Sequence, residues 1–515
     1  MPGSPVLIGP FTGGLNTYSE PTMISDSECV ELFNFDIDLD GTLVNRPPLG
    51  VMPSPCGFGG NILGTYTTTS GTVYYVVIDS AKNLRVFDIS SGAHLYTIST
   101  NIDTQCVVQY ANKLWIVATP NSANPGGSWD PVGGFSAVAT MARGISATMY
   151  KERLYVASGS QSTTPSRINF SAAANLASWT AGTDFFDINN GDGQSIIKVY
   201  SFMGRIIVFK DRSTYTFSYD TQPTKGQTEL VAANVGIANV NSFAEFEGIL
   251  YVLFGNTLYA VTNWNWDPLN TKVPFVLFNQ VSRATWSDSS ISIVGNRLVC
   301  RYFDNFYVFG LRTRAFSMWR FSTPGQNDFA PSHFLPYPIL DASTNTYFWV
   351  AGCYDNSKTQ WYKFIDTPNQ VTSVETFNVS LVTKTYDYKV PYTWKRMFWW
   401  GADILSKTQV QYLVHPVAYN IPIKWSQISN GVTKWSQLKT WAKPIDISLD
   451  VSDSVSTTNP SGTRTFQRLL KGLRFRQISF KLSSVVNGTT TTGPLRVFSL
   501  TAVTSSKALV SKKIN

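Results

Sequence analysis

EGILYVLFGNTLYAVTN, residues 247–263, holds two short segments rich in β-branched and aromatic residues, ILYVLF and TLYAVT, on either side of Gly255-Asn256. Each is too short for a stable helix and has the composition of a strand, while Gly and Asn tolerate the positive φ of a tight turn. The stretch therefore reads as a β-hairpin. Related runs recur along the chain, many opened by a polar or glycine turn: GTVYYVVID at 71, ANKLWIVAT at 111, KERLYVASG at 151, MGRIIVFKD at 203, GNRLVCRYF at 295 and NTYFWVAGC at 345. With the run at 247, successive starts lie 40 to 52 residues apart. A degenerate period of that size, built of short strands, matches four-stranded propeller blades. The expected fold is all-β: a β-propeller of six or seven blades over residues 55–370, with an N-terminal arm at 1–54 and an additional C-terminal β-rich domain at 371–515. Two β-sandwiches with evenly spaced hairpins are the alternative.

Outside the repeat, residues 11–47 read FTGGLNTYSEPTMISDSECVELFNFDIDLDGTLVNRP. Ser25 and Glu28 have capping-box spacing, so a helix of about two turns is expected from Asp26 to Phe33. Such a helix is unstable alone, and Leu32, Phe33 and Phe35 need an apolar surface, in their own chain or in a neighbouring subunit. The C-terminal part divides by charge. Residues 371–515 carry 19 Lys and Arg against 6 Asp and Glu, a net of +13, which leaves −5 for residues 1–370 of a chain whose total is +8. The two parts are expected to face different surroundings or each other. LRFRQISFKL, residues 473–482, has the alternation of a strand with one buried face.

Motifs for chemistry are sparse. The three histidines, His94, His333 and His415, are scattered and form no ligand pair, and the five cysteines have neither metal nor disulfide-framework spacing. No phosphate loop or nucleophile elbow occurs, so no enzyme activity and no cofactor are expected. Asp36, Asp38, Asp40 and Gly41 match the opening of a calcium loop, but its twelfth position is Pro47 instead of a bidentate glutamate. A turn at Gly41 is the favoured reading, and those three aspartates are the weak metal candidates. Trp264, Trp266, Trp394, Lys395, Arg396, Trp399, Trp400, Arg474 and Arg476 are candidate interface residues, since clustered aromatics fill spaces between sheets, form subunit contacts or stack on sugars. The N-terminus has no signal-peptide pattern and no segment approaches the length of a membrane helix, so cytoplasmic synthesis without membrane embedding is expected.

Gly13, Gly14, Leu15, Asn16, Glu28, Asn34, Asp40, Gly41 and Arg46, followed more loosely by TKTYDY and YTWKRMFW within 383–399, resemble the tail nozzle, or tail tubular protein B, family of tailed bacteriophages. The resemblance implies a structural virion protein, made in the host cytoplasm and located in the phage tail. It implies a homo-oligomeric ring, six-fold, around the DNA exit channel, with a tail adaptor above, fibres or a plug below, and phage DNA passing without sequence-specific binding. In that setting Gly13, Gly14, Leu15, Asn16, Glu28, Leu32, Phe33, Asn34, Gly41 and Arg46 form an assembly arm. The acidic-leaning propeller then lines the channel and the basic C-terminal part meets a protein. The alternatives are a carbohydrate-binding or receptor-binding propeller and, behind it, a glycan hydrolase, which needs paired carboxylates in a pocket.

Overall fold

The dipeptides that open the recurring runs are hairpin turns. In Ala111-Asn112 (φ 49° and 58°), Lys151-Glu152 (44° and 57°), Met203-Gly204 (48° and 71°) and Glu247-Gly248 (50° and 76°), both residues adopt positive φ, the signature of the two-residue turn whose twist suits a hairpin. The register closes tightly around them, with Tyr110 opposite Lys113, Tyr150 opposite Arg153, Phe202 opposite Arg205 and Phe246 opposite Ile249. The strand after each turn is largely apolar because both of its faces are covered: in Lys113–Ala118 and Arg205–Lys210 every residue after the first is buried.

The computed structural model describes residues 5–51, 60–69, 72–79, 82–88, 94–98, 101–275, 289–302, 305–321, 333–334, 339–341, 346–348, 350–355, 358–364, 379–386, 395–406, 410–419, 452–455, 464–475, 477–485 and 495–506. Among them are seven four-stranded antiparallel units in propeller-like succession. The first five units run from Gly60–Thr67 to His94–Ile98, Thr104–Tyr110 to Gly134–Ala137, Ser146–Tyr150 to Phe185–Asp187, Ile196–Phe202 to Gln227–Ala232, and Phe243–Phe246 to Asn265–Pro268. The sixth runs from Ser289–Val294 to Phe316–Trp319. The seventh combines His333–Phe334, Val350–Asp355 and Lys358–Phe364 with Leu49–Val51, which precedes the first blade in sequence and pairs antiparallel with Lys358–Phe364. The chain that finishes the last blade thus goes on to begin the first.

Each junction from the first blade to the seventh has its own apolar cluster. Val76 and Val86 meet Leu114 and Ile116 between the first and second blades, Trp115 and Val117 meet Leu154 and Val156 between the second and third, and Tyr155 and Ile168 meet Ile206 and Val208 between the third and fourth. Ile207 and Phe209 meet Leu250 and Val252 next, then Tyr251 and Leu253 meet Leu298 and Cys300, and Val299 and Trp319 meet Leu49 and Phe364. The inner strands leave one backbone edge without a ladder, and buried backbone groups need partners. Neighbouring blades supply them: Val199 N–H donates to Ser146 Oγ (3.0 Å), Ser201 N–H to Thr148 Oγ1 (3.1 Å) and Thr67 N–H to Gln109 Oε1 (2.7 Å).

The N-terminal segment departs from expectation. Residues Glu28–Phe33 form a strand in place of the expected helix. Glu28 does accept the Ser25 N–H (2.9 Å), as in a capping box, but its own N–H bonds the Ser25 carbonyl (3.1 Å) and the chain then extends. Backbone partners on both sides outweigh two turns of isolated helix. The strand pairs parallel with Gly14–Leu15 and, at Phe33, with Met318 of the sixth blade, and antiparallel with Ser380–Thr383. It thereby joins the sixth blade to Ser380–Thr383, Gln477–Val485, Val410–Tyr419 and Ser452–Val455 in one ten-stranded sheet. A second sheet unites Phe35–Ile37 and Leu43–Asn45 with Leu495–Ser506, Lys395–Ser406 and Arg464–Phe475, and Pro5–Ile8 adds to Leu495–Ser506. Phe11, Leu15, Leu32, Phe35 and Leu43 are buried in the largest core cluster with Leu381, Phe480, Val497 and Leu500.

Candidate functional site

The residues singled out in the N-terminal segment have partners within the chain. Glu28 accepts from Lys272 Nζ (2.6 Å), Ser25 N–H (2.9 Å) and Asn16 Nδ2 (3.0 Å). Burial alone pushes its carboxyl up, but these donors together bring it below the ordinary glutamate range. Asn34 sits at φ 59°, and its Oδ1 accepts from Arg46 Nε (3.0 Å) and Arg320 N–H (2.7 Å). Arg46 is fully buried; it also donates to the carbonyls of Pro47 (3.1 Å) and Arg320 (2.7 Å) and lies 4.5 Å over the Phe321 ring. Phe33 lies beneath the Arg320 guanidinium, 4.1 Å away. Gly14 and Gly41 adopt φ of 66° and 81°, and a Cβ on either would come within 2.7 Å of Phe316 O or 2.6 Å of Pro10 Cβ.

The aspartate run is a turn whose carboxylates diverge. Asp38 Oδ1 accepts the Leu39 N–H (2.8 Å) and Asp40 Oδ1 the Thr42 N–H (2.8 Å). Asp36 turns inward, where Oδ1 accepts from Trp319 Nε1 (3.0 Å) and Oδ2 lies 2.8 Å from Arg297 Nη2. That second contact is an ion pair by distance but is off the line of a hydrogen bond, so Asp36 Oδ2 has no hydrogen-bond donor. Burial pushes the Asp36 carboxyl above its ordinary range, against the opposing pull of Arg297, Trp319 and Arg46. Among the described residues no group of three or more His, Cys, Asp or Glu is placed to hold a metal ion.

Between this hairpin and the sixth blade lies a cleft of about 450 Å³. Asp36 to Leu39 and Val44 form one wall, and the turns at Gly295-Asn296 and at Gly310, Arg312 and Thr313 form the other with Arg297, Val308, Ala315 and Ser317. Its chemistry is uneven. Arg297 is engaged with Asp36, whereas the exposed Arg312 side chain has no hydrogen-bond or ion-pair partner among the described residues. Thr313 Oγ1 is buried in the wall without a hydrogen-bond partner, and Asp38 is exposed at the lip beside Leu39, which is 65% exposed. Sequence reasoning noticed Asp36 and Asp38 but missed Arg297, Arg312, Thr313 and Trp319. The one local signal was the basic turn LRTRA at 311–315, directly after a recurring strand.

The aromatic candidates separate. Trp264, in a turn at φ 67°, packs edge-on to Phe202 (5.7 Å) with Arg205 5.6 Å from its ring, and Trp266 packs on Tyr259 (6.1 Å); both border the junction of the fourth and fifth blades. Arg396 stands opposite Arg474, and Lys395 opposite Phe475, in the register of two long strands; Trp399 and Trp400 follow on the same strand, opposite Leu469 and Arg468. Trp394 and Arg476 lie outside the described residues.

No protein-family model matches the chain, and no curated protein matches it. Solved structures do. The extracellular domain of a hybrid two-component system from B. thetaiotaomicron aligns at TM-score 0.39 and 11% identity over 64% of this chain, which spans 42% of the length of that one. BamB from Moraxella catarrhalis aligns at TM-score 0.38 and 10% identity over 65% of this chain and 92% of its own. The Pan2 WD40 domain of Neurospora crassa aligns at 0.39 and 8% over 64% and 98%. At such scores and identities none of them carries a function across. None is a phage tail protein, and with no family model or curated protein beside them the tail-nozzle resemblance is withdrawn. With it go the virion role and the location in a phage tail.

Proposed function

We propose that the chain is a non-catalytic binding propeller and that the cleft between the 35–45 hairpin and the sixth blade receives a saccharide. The observation that carries this reading is the character of the cleft. Polar groups make up the larger share of its lining, with the exposed Arg312 and Asp38 at its mouth and Ile37, Val44 and Val308 as the smaller apolar share. A recess of a few hundred Å³ lined mostly by polar groups suits a hydroxyl-rich ligand, whereas sites for apolar ligands are lined mostly by hydrophobic side chains. Chemistry on such a ligand needs a nucleophile beside a base or two carboxylates across the scissile bond. Here the buried carboxylate is held by Arg297 and Trp319, and the Thr313 hydroxyl has no base bonded to it.

Saturation-transfer NMR on the full chain, with neutral and acidic mono- and disaccharides, tests the reading. Saccharide signals should be attenuated by the wild-type chain and not by Leu39→Arg, which crowds the lip from an exposed position. The absence of transfer to any saccharide, or transfer that persists undiminished in Leu39→Arg, sinks the proposal.

A further inference from the structure

We infer that the ligand of this cleft is an acidic sugar, a pyranose bearing one carboxylate, with Arg312 as the residue that reads the charge; the inference rests on the saccharide reading above. Two guanidiniums line the cleft but only one is available. Arg297 lies 2.8 Å from Asp36 and 5.7 Å from the Trp319 ring, so its charge is answered within the protein. Arg312 projects from the turn after Asn305–Gly310 and is exposed and unpaired among the described residues. A planar guanidinium presents two parallel N–H groups to a carboxylate, which makes it the natural receptor for a single carboxylate group.

The neighbouring groups narrow the class further. Thr313 Oγ1, adjacent in sequence, is enclosed against Gly310 and offers the cleft no hydrogen bond, so the polar contacts fall to Arg312 and Asp38. Asp38 keeps Oδ2 for a sugar hydroxyl, since Oδ1 is taken by the Leu39 N–H. Its negative charge on the opposite lip also disfavours a dianion such as a phosphate ester, for which the cleft has no second free cation. The apolar share of the lining, Ile37, Val44 and Val308, can meet one C–H face of a pyranose, and about 450 Å³ leaves room for a second ring.

Isothermal titration of the full chain with glucuronate, glucose and inorganic phosphate, at low salt, tests the inference. Glucuronate should bind most tightly, Arg312→Met should weaken it about tenfold or more, and the near-isosteric Thr313→Val, whose hydroxyl is enclosed, should leave it unchanged. Both positions lie on a surface turn, and far-ultraviolet circular dichroism of each variant verifies that the fold is kept. Glucose binding as tightly as glucuronate, or glucuronate binding that ignores Arg312→Met, overturns the acidic class while leaving a saccharide site in place. Phosphate binding more tightly than glucuronate overturns it in favour of a simple anion site. No heat from any of the three, and no saccharide response in the transfer experiment, removes both the inference and the reading beneath it.

Discussion

Replacing Arg46 with methionine tests whether the N-terminal segment is a staple inside the molecule. The guanidinium is fully buried and donates to Asn34 Oδ1, Pro47 O and Arg320 O. Methionine keeps much of the volume and none of the donors. Asn34 Oδ1 retains the Arg320 N–H, so two carbonyls lose their Arg46 donor. At about 1–2 kcal/mol for each carbonyl, the lower part of the range for an unsatisfied group because both hydrogen bonds are only partly buried, with about 1 kcal/mol for the cation–π contact to Phe321, the cost comes to about 3–5 kcal/mol, the range found when a buried charged network is broken. Because 1.4 kcal/mol is a factor of ten, amide hydrogen exchange at Asn34 and Arg320 and along Glu28–Phe33 should accelerate about 100-fold to several thousand-fold. Exchange in the second and third blades should hardly change. Arg46→Lys keeps the charge without the planar fork and should recover only a minor part of the loss. Acceleration of less than about fivefold, equivalent to under about 1 kcal/mol, would refute the clamp; full protection in Arg46→Lys would show that charge, not hydrogen-bond geometry, holds it.

Removing residues 1–47 takes away the strand Glu28–Phe33 that joins two parts of one sheet, so the truncated chain should lose cooperative melting and bind an apolar dye; an intact melt with the wild-type β signal would count against this. Ala111→Gly replaces an exposed residue at φ 49°, and relief of about 1–2 kcal/mol of left-handed strain, offset by up to about 1 kcal/mol of unfolded-chain entropy, should raise urea resistance slightly, whereas a clear loss would mean that the turn is not strained. Lys210, fully buried, bonds Asp192 (2.8 Å), Ser166 Oγ (3.1 Å) and Asn189 O (3.2 Å); Lys210→Met should cost about 3–5 kcal/mol, and pairing it with Asp192→Asn should recover part of that in a double-mutant urea cycle, where strict additivity would deny the coupling. Glu28, whose folded pKa lies below its ordinary value, binds fewer protons folded than unfolded within that window, so its contribution is present above about pH 4.3 and is lost as pH falls through the folded pKa. Glu28→Gln should flatten that part of a pH-stability curve, and an unchanged curve would show that Glu28 does not contribute it.

The blades were legible because their determinants are local. A turn dipeptide followed by a wholly apolar run, as in Lys151-Glu152 before LYVA, encodes both the hairpin and the burial of its second strand on two faces. Seven units fall within the six or seven expected from the spacing. The segment 26–33 was misread because Ser25 and Glu28 satisfy a local rule that distant partners override: Lys272 and Asn16 share the carboxylate, and Ser380–Thr383 supplies the edge. The same blindness hid the cleft. Asp36 carries the pattern of a cation ligand, but its neighbours in space, Arg297 and Trp319, lie more than 260 residues away. Nothing in the sequence marks which of the two cleft arginines is left unpaired.

That non-locality also orders events in the molecule. Pro5–Ile8 pairs with residues 500–503, Glu28–Phe33 with residues 380–383, and Leu43-Val44 with Val497 and Arg496. The first fifty residues therefore wait for most of the chain before their edges are covered. Loop-closure entropy rises only with the logarithm of loop length, about 0.6 kcal/mol per doubling, so these distant pairings weigh little on final stability, although non-local pairings slow folding. The hairpin that walls the cleft is held on one side by the C-terminal strand and on the other by Asp36 against Arg297 and Trp319 of the sixth blade. Neither attachment exists in a chain that has made only its first blades. The candidate site is consequently assembled when the two ends of the chain meet, and a ligand that binds there stabilises the joined state over any form in which the staple is open.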